Sequence, residues 1–214
     1  MVANGPPSAP SDARIAVVLS AGASERFHRE PKALLPVGRE TAVARIVRIG
    51  LESGCDRAIV VVGPHLREVA DALEGSGALV VENPDWPRGR TGSVQRGLRA
   101  AGPGATVLLW PVDHPFVAPR TVERLFEAAS GDPLALWLIP SYEGRGGHPV
   151  VLRGTALSAI AELGSDAPLR QLLPGLGPQV VRVAVRDPGV LDNVDTPERY
   201  REALDAWAWR GDDP

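Results

Sequence analysis

The chain has 214 residues, of which 44% are hydrophobic and 23% charged, and a formal net charge of −3. That length fits one α/β domain with a sizeable core, and the slight acidity excludes a global pull toward nucleic acid or an anionic membrane. A single cysteine, Cys55, excludes an internal disulfide and a cysteine-based zinc cage and suits a reducing cytoplasm.

Residues 1–13, rich in Pro, Ser and Gly, lack the apolar centre of a signal peptide and are expected to form a flexible tail. Residues 14–210 are expected to form one domain, and no apolar run approaches the roughly eighteen residues that cross a bilayer. Predicted strands are Ile15–Leu19, Ala58–Val62, Ala78–Val81, Val107–Trp110, Leu134–Ile139 and Val180–Val185. Several are apolar almost throughout, the pattern of strands buried on both faces of a parallel sheet. Predicted helices alternate with them: Thr41–Glu52, Leu66–Leu73, Ser93–Ala101, Arg120–Ala129, Thr155–Leu163 and Pro197–Trp209. Such alternation predicts a three-layer α/β/α sandwich, Rossmann-like, with right-handed crossovers and a mostly parallel sheet. Ligands of such sheets bind beyond the carboxyl ends of the strands.

The first such loop runs from Leu19 through Ser20, Ala21, Gly22 and Ser24 to Arg26 and Lys32. Its small residues let a polyphosphate approach the backbone, where consecutive N–H groups form an anion nest. Arg26 and Lys32 add the positive charge that a departing pyrophosphate needs. Of the 23 Lys and Arg residues, only Lys32 is a lysine, which reads either as a place where a compact ammonium is not interchangeable with a planar guanidinium or as chance survival on a solvated surface, its position in this loop favouring the first. The loop is neither a Walker A sequence nor a G-x-G-x-x-G fingerprint.

Later loops supply oxygen ligands and further anion contacts. Asp113, in Pro111-Val112-Asp113-His114-Pro115, ends a buried strand and is placed to hold Mg²⁺, although Asp and Pro are also common turn residues. In Asn193-Val194-Asp195-Thr196-Pro197-Glu198, capping of the last helix by Asp195 or Thr196 explains the spacing as well as metal binding does. Thr91 to Ser93, at a predicted helix start, offer either free N–H groups for an anion or simple side-chain caps. In Gly144-Arg145-Gly146-Gly147-His148-Pro149-Val150, Arg145 and His148 read as contacts to an anionic acceptor, although a lone His in a glycine-rich loop is equally a turn residue. His65 reads as the opening of a surface helix without a chemical role.

These segments together resemble the MobA-like NTP transferases, over roughly residues 14–205. The resemblance rests on Leu19-Ser20-Ala21-Gly22-x-Ser24-x-Arg26-Phe27 with Lys32-x-Leu34, on Asn83-Pro84-x-Trp86 with Ser93 and Gly97, and on Pro111-Val112-Asp113-His114-Pro115. It extends to Gly147-His148-Pro149-Val150 and Asn193-x-Asp195-Thr196-Pro197-Glu198. The Pro31-Lys32-Ala33-Leu34-Leu35-Pro36-Val37 tail is also similar to the sugar-phosphate nucleotidyltransferases. The resemblance implies a Mg²⁺-dependent transfer of NMP from an NTP to a phosphorylated acceptor, with loss of pyrophosphate. It assigns the triphosphate to Arg26 and Lys32, Mg²⁺ to Asp113 and Asp195, and the acceptor side to Arg145, His148 and Asn193. It favours molybdopterin as acceptor and, through Ala21, CTP over GTP, with a molybdoenzyme or its chaperone as a partner. The alternatives are a sugar- or alditol-phosphate acceptor, or a non-catalytic nucleotide-binding subunit serving molybdoenzyme maturation.

Overall fold

The structure, a computed structural model, describes residues 13–23, 27 and 30–210. The chain opens with β1 (Arg14–Ser20), followed by a short hairpin of β2 (Pro36–Val37) and β3 (Glu40–Thr41). Then come α1 (Ala42–Glu52), β4 (Arg57–Val62), α2 (Leu66–Ala72), β5 (Leu79–Glu82) and α3 (Arg90–Ala101). The middle of the chain forms β6 (Thr106–Pro111), α4 (Pro119–Gly131), β7 (Trp137–Tyr142), β8 (Arg145–Gly146) and β9 (Val150–Leu152). It closes with α5 (Thr155–Glu162), the single turn α6 (Leu173–Leu176), β10 (Val180–Ala184) and α7 (Pro197–Arg210).

The main sheet has the order β10-β7-β9-β6-β1-β4-β5, with β8 added to β7. Six of these strands run the same way, and β9 and β8 run against them. Alternate residues of β1 explain the three layers. Ala16 and Val18 pack with Val43 and Ile46 of α1 and Leu125 of α4, whereas Ile15 and Val17 pack with Val94 of α3 and Ile160 of α5. A Cβ on Gly97 would overlap the Val17 side chain, so glycine there lets α3 rest directly on β1. A third apolar cluster ties the C-terminal helix to the segment after β1: Phe27, Leu35 and Val37 meet Val194, Ala203 and Trp207. No helix among the described residues is long and apolar enough to cross a membrane.

Two details differ from the sequence reading. The strand expected at Leu134–Ile139 lies at Trp137–Tyr142, because Leu134 is exposed and does not join the sheet. The segment after His148, read only as an acceptor loop, contains β9, a three-residue strand wedged antiparallel between β6 and β7. Three residues are too short a run to announce a strand by periodicity.

Candidate active site

The chain passes from β1 to β4 and β5 on one side of β1, and places β6 on the other. That reversal opens a crevice at the carboxyl ends of β1 and β6, where open α/β sheets take their ligands. A cavity of about 620 Å³ lies there. One wall is the loop Leu19–Ala23, and Lys32, Asp113 and Asp195 stand across from it. Arg90 and Ser93, at the start of α3, and His65 and Trp86 complete its sides. The loop after β4 fits closely: a Cβ on Gly63 would come within 2.5 Å of the Ala21 carbonyl oxygen and 2.9 Å of the Trp86 ring.

Asp113 is buried and held on every side. Its Oδ1 lies 2.8 Å from His114 Nδ1, and its Oδ2 accepts from Asn193 Nδ2 at 3.2 Å. Its main-chain carbonyl accepts from the Val194 N–H at 2.8 Å, so the β6 loop and the segment before α7 are stitched together. Burial pushes the Asp113 carboxyl up, but the hydrogen bond and charge of His114, with Lys32 and Arg90, outweigh it and hold the group at about 2. Lys32 Nζ donates to Asp195 Oδ1 at 2.7 Å and lies 5.6 Å from the Phe27 ring centroid. The two residues are 163 positions apart and are brought together by the apolar cluster beneath them.

Most of the residues singled out from sequence converge on this cavity, namely Leu19, Ser20, Ala21, Gly22, Lys32, Ser93, Asp113 and Asp195. Ser24 and Arg26 lie outside the described residues. Neither Thr91 nor Ser93 caps α3, which starts earlier, at Arg90. Thr91 Oγ1 donates to the Ala167 carbonyl at 2.5 Å, and Ser93 Oγ accepts from Asn83 Nδ2 at 2.9 Å. The Gly92 N–H is taken by the Ser165 carbonyl at 3.1 Å, so it is not offered to an anion. Thr196 Oγ1 accepts from the Arg199 N–H at 3.3 Å, so the cap of α7 is Thr196 and the Asp195 side chain is turned to Lys32.

The acceptor residues separate. Arg145 is exposed on β8 and lines a second cavity of about 590 Å³ with Tyr142, Asn193 and Arg199. Asp195 lines both cavities and marks where they meet. His148, read from sequence as a contact to an anionic acceptor, lines neither cavity. Its N–H donates to the Val190 carbonyl at 3.0 Å, its ring stands edge-on to His114 at 4.8 Å, and burial followed by the nearby His114 pushes its pKa down to about 4. Asn193 spends its amide N–H on Asp113 rather than on the second cavity, and its buried Oδ1 finds no partner among the described residues. His65 opens α2 as expected and also lines the cavity, whereas the place of Arg90 on the cavity wall and the contact of His114 with Asp113 were not anticipated. His114 was visible inside the quoted Pro-Val-Asp-His-Pro segment, whereas His65 and Arg90 gave no signal beyond their place after a strand or before a helix.

The donors suit a small hard cation. Asp113 and Asp195 offer carboxyl oxygens to one cavity, and the partnerless Asn193 Oδ1 lies beside the first of them. Among the described residues no group of three or more His, Cys, Asp or Glu side chains forms a metal cage. Two carboxylates without a cage are what Mg²⁺ or a similar ion uses when substrate phosphates and water fill its remaining positions.

Fold and cavity together define an α/β protein with a cavity at the carboxyl edge of a mostly parallel sheet, beside two carboxylates and a lysine. Residues 16–181 match the MobA-like NTP transferase domain, and the chain belongs to that family. It is 30% identical over 193 residues to the nicotine blue oxidoreductase of Paenarthrobacter nicotinovorans, a match covering 88% of this chain and 95% of that protein. Among solved structures it resembles a nucleotidyl transferase from Methanothermobacter (Mth528), at 28% identity and a TM-score of 0.78, over 92% of this chain and 99% of that one. It also resembles Rv0371c of Mycobacterium tuberculosis H37Rv in complex with manganese, at 28% identity and a TM-score of 0.75, over 91% and 99% of the two chains.

Proposed function

We propose that the protein transfers NMP from an NTP to a phosphorylated small-molecule acceptor and releases pyrophosphate. The convergence of Lys32, Asp113 and Asp195 on one cavity, beside the small-residue loop after β1, carries this reading. The triphosphate lies along Leu19–Gly22, with Lys32 neutralising the phosphates that leave. Asp113 and Asp195 hold a divalent cation, Mg²⁺ or Mn²⁺. When bound, that cation polarises a phosphoryl oxygen and shields the negative charge. The acceptor enters from the second cavity, where Arg145 and Arg199 offer cationic groups to its phosphate. An acceptor phosphate oxygen attacks the α-phosphorus, the bond to the β-phosphate oxygen breaks, and the electron pair leaves with pyrophosphate. A phosphate monoester is largely ionised at neutral pH, so the chain need supply no general base. Positioning and charge neutralisation do the work.

The finer reading is CTP as donor and molybdopterin as acceptor, supported by the motif set running from Leu19 to Glu198. A second reading comes from the relative named an oxidoreductase, which this chain matches over nearly its whole length. One experiment separates them. Pyrophosphate release is measured with CTP, GTP, ATP and UTP, each against molybdopterin and a panel of sugar phosphates, and the redox conversion of nicotine blue is followed by its absorbance. Cation-dependent pyrophosphate release, highest with CTP and molybdopterin, is expected. Redox conversion of nicotine blue without pyrophosphate release would replace the transferase reading.

A further inference from the structure

We propose that His114 is a positioning residue that fixes the Asp113 carboxylate, and that His148 holds the His114 ring in place from behind. The proposal rests on the reading of Asp113 as a cation ligand and deepens it. Side chains of successive residues in an extended chain point to opposite sides, so an Asp and the His after it do not ordinarily meet. Here the chain turns immediately after β6, and the turn sets His114 Nδ1 2.8 Å from Asp113 Oδ1.

The turn is anchored independently of Asp113. The buried Trp110 indole donates to the His114 carbonyl at 2.9 Å, and the His114 N–H donates to the Pro111 carbonyl at 3.2 Å. The imidazole is therefore mounted on a fixed base, and its side chain is only 8% exposed. Asn193 fixes the other carboxylate oxygen from the opposite side, at 3.2 Å. Together the two contacts leave Asp113 one orientation toward the cavity. Restraint of this kind tunes a ligand's affinity without adding a ligand.

His148 completes the arrangement. Its ring meets the His114 ring edge-on, 4.8 Å between centroids with 63° between planes. Its main chain is pinned to the Val190 carbonyl, and a Cβ on the preceding Gly147 would overlap that same oxygen. His148 Nδ1 finds no hydrogen-bond partner among the described residues. A ring held in place by its backbone and using no hydrogen bond at Nδ1 acts by its shape. With its pKa pushed down to about 4, it stands against His114 as a neutral aromatic and adds no repelling charge.

The test has a metal-free arm and a metal-binding arm, both on the full chain. Long-range proton–nitrogen NMR of the imidazoles should find His114 protonated on Nδ1, donating to Asp113, and Asp113→Ala should shift the proton toward Nε2. A neutral His114 ring protonated only on Nε2 in the wild type would overturn the proposal, whatever the metal does. In calorimetric titration with Mn²⁺ alone, His114→Leu should weaken binding roughly 10- to 100-fold. His114→Asn, whose amide nitrogen takes the place of Nδ1, should stay within about threefold of wild type, as the same restraint predicts. His148→Phe should match wild type, and His148→Ala should weaken binding several-fold. Wild-type Mn²⁺ affinity in His114→Leu, or equal losses in the Leu and Asn variants with unchanged melting temperatures, would refute the positioning role. Mn²⁺ binding unaffected by Asp113→Asn would instead refute Asp113 as the ligand, so the two failures are told apart.

Discussion

Lys32→Met should do two opposite things at once: weaken NTP binding and strengthen the binding of a cation added alone. Lys32 Nζ occupies Asp195 Oδ1 at 2.7 Å, so the ammonium competes with any cation for that oxygen. Methionine keeps the unbranched stem beside Phe27 and removes only the charge. At an effective dielectric constant of about 20, a pair this close would interact by about 6 kcal/mol. The side chains are 17% and 40% exposed, so water and salt screen most of it, and about 1 kcal/mol is the realistic remainder. That remainder corresponds to roughly a fivefold gain in Mn²⁺ affinity and a melting temperature lower by about 2–4 °C. Loss of a charge-assisted contact to the triphosphate should cost about 1.5–3 kcal/mol, or roughly ten- to a hundredfold in NTP affinity. Two calorimetric titrations, Mn²⁺ without nucleotide and NTP with Mn²⁺ saturating, read both effects. A variant that binds Mn²⁺ more weakly than wild type would refute the idea that lysine and cation share Asp195.

Other expectations follow from the same geometry. Asp113 is held at about 2, below its ordinary 3.8, so its contribution to stability is fully present above about pH 4 and lost as the pH falls toward 2. The thermal-stability gap between wild type and Asp113→Asn should therefore close across that window in differential scanning calorimetry, and a gap that widens would contradict the assignment. Asp195→Asn should abolish most cation-dependent turnover without removing a helix cap, whereas Thr196→Ala should cost about 1 kcal/mol of stability and spare the rate. Arg145→Ala and Arg199→Ala should each raise the acceptor KM roughly tenfold or more and leave NTP affinity unchanged, in initial-rate kinetics. Unchanged acceptor kinetics in both variants would remove the second cavity from the reaction.

Much of the fold was legible because the sheet is buried on both faces. Strands such as Ala58–Val62 and Val107–Trp110 read as apolar runs, and the helices between them show one apolar face. β9 was not legible: three residues behind a Gly-His-Pro turn carry no period, and only the gap between β6 and β7 makes them a strand. The convergence of Lys32, Asp113 and Asp195 followed from their places after strands or before the last helix. What those side chains do to one another did not. Whether Asp195 or Thr196 caps α7 depends on which rotamer finds the Arg199 N–H, and spacing alone is silent on that. The contact between Asp113 and His114 depends on a turn that reverses the usual divergence of neighbours. His148 read as a contact to an anionic acceptor because it follows Arg145 in a glycine-rich loop, yet Val190 and His114 pack it into place.

The central claim is that Asp113 and Asp195, with Lys32, serve nucleotidyl transfer. It is tested most directly by mass spectrometry of the product formed from CTP and a phosphorylated acceptor with Mg²⁺ or Mn²⁺, with pyrophosphate quantified alongside. The wild-type chain should give one CMP-linked product per pyrophosphate released, and Asp113→Asn should give less by a factor on the order of a hundred or more, as loss of a catalytic metal ligand implies. Equal product from both chains, or a wild type that converts nicotine blue while making no nucleotidyl product with any acceptor, would contradict it.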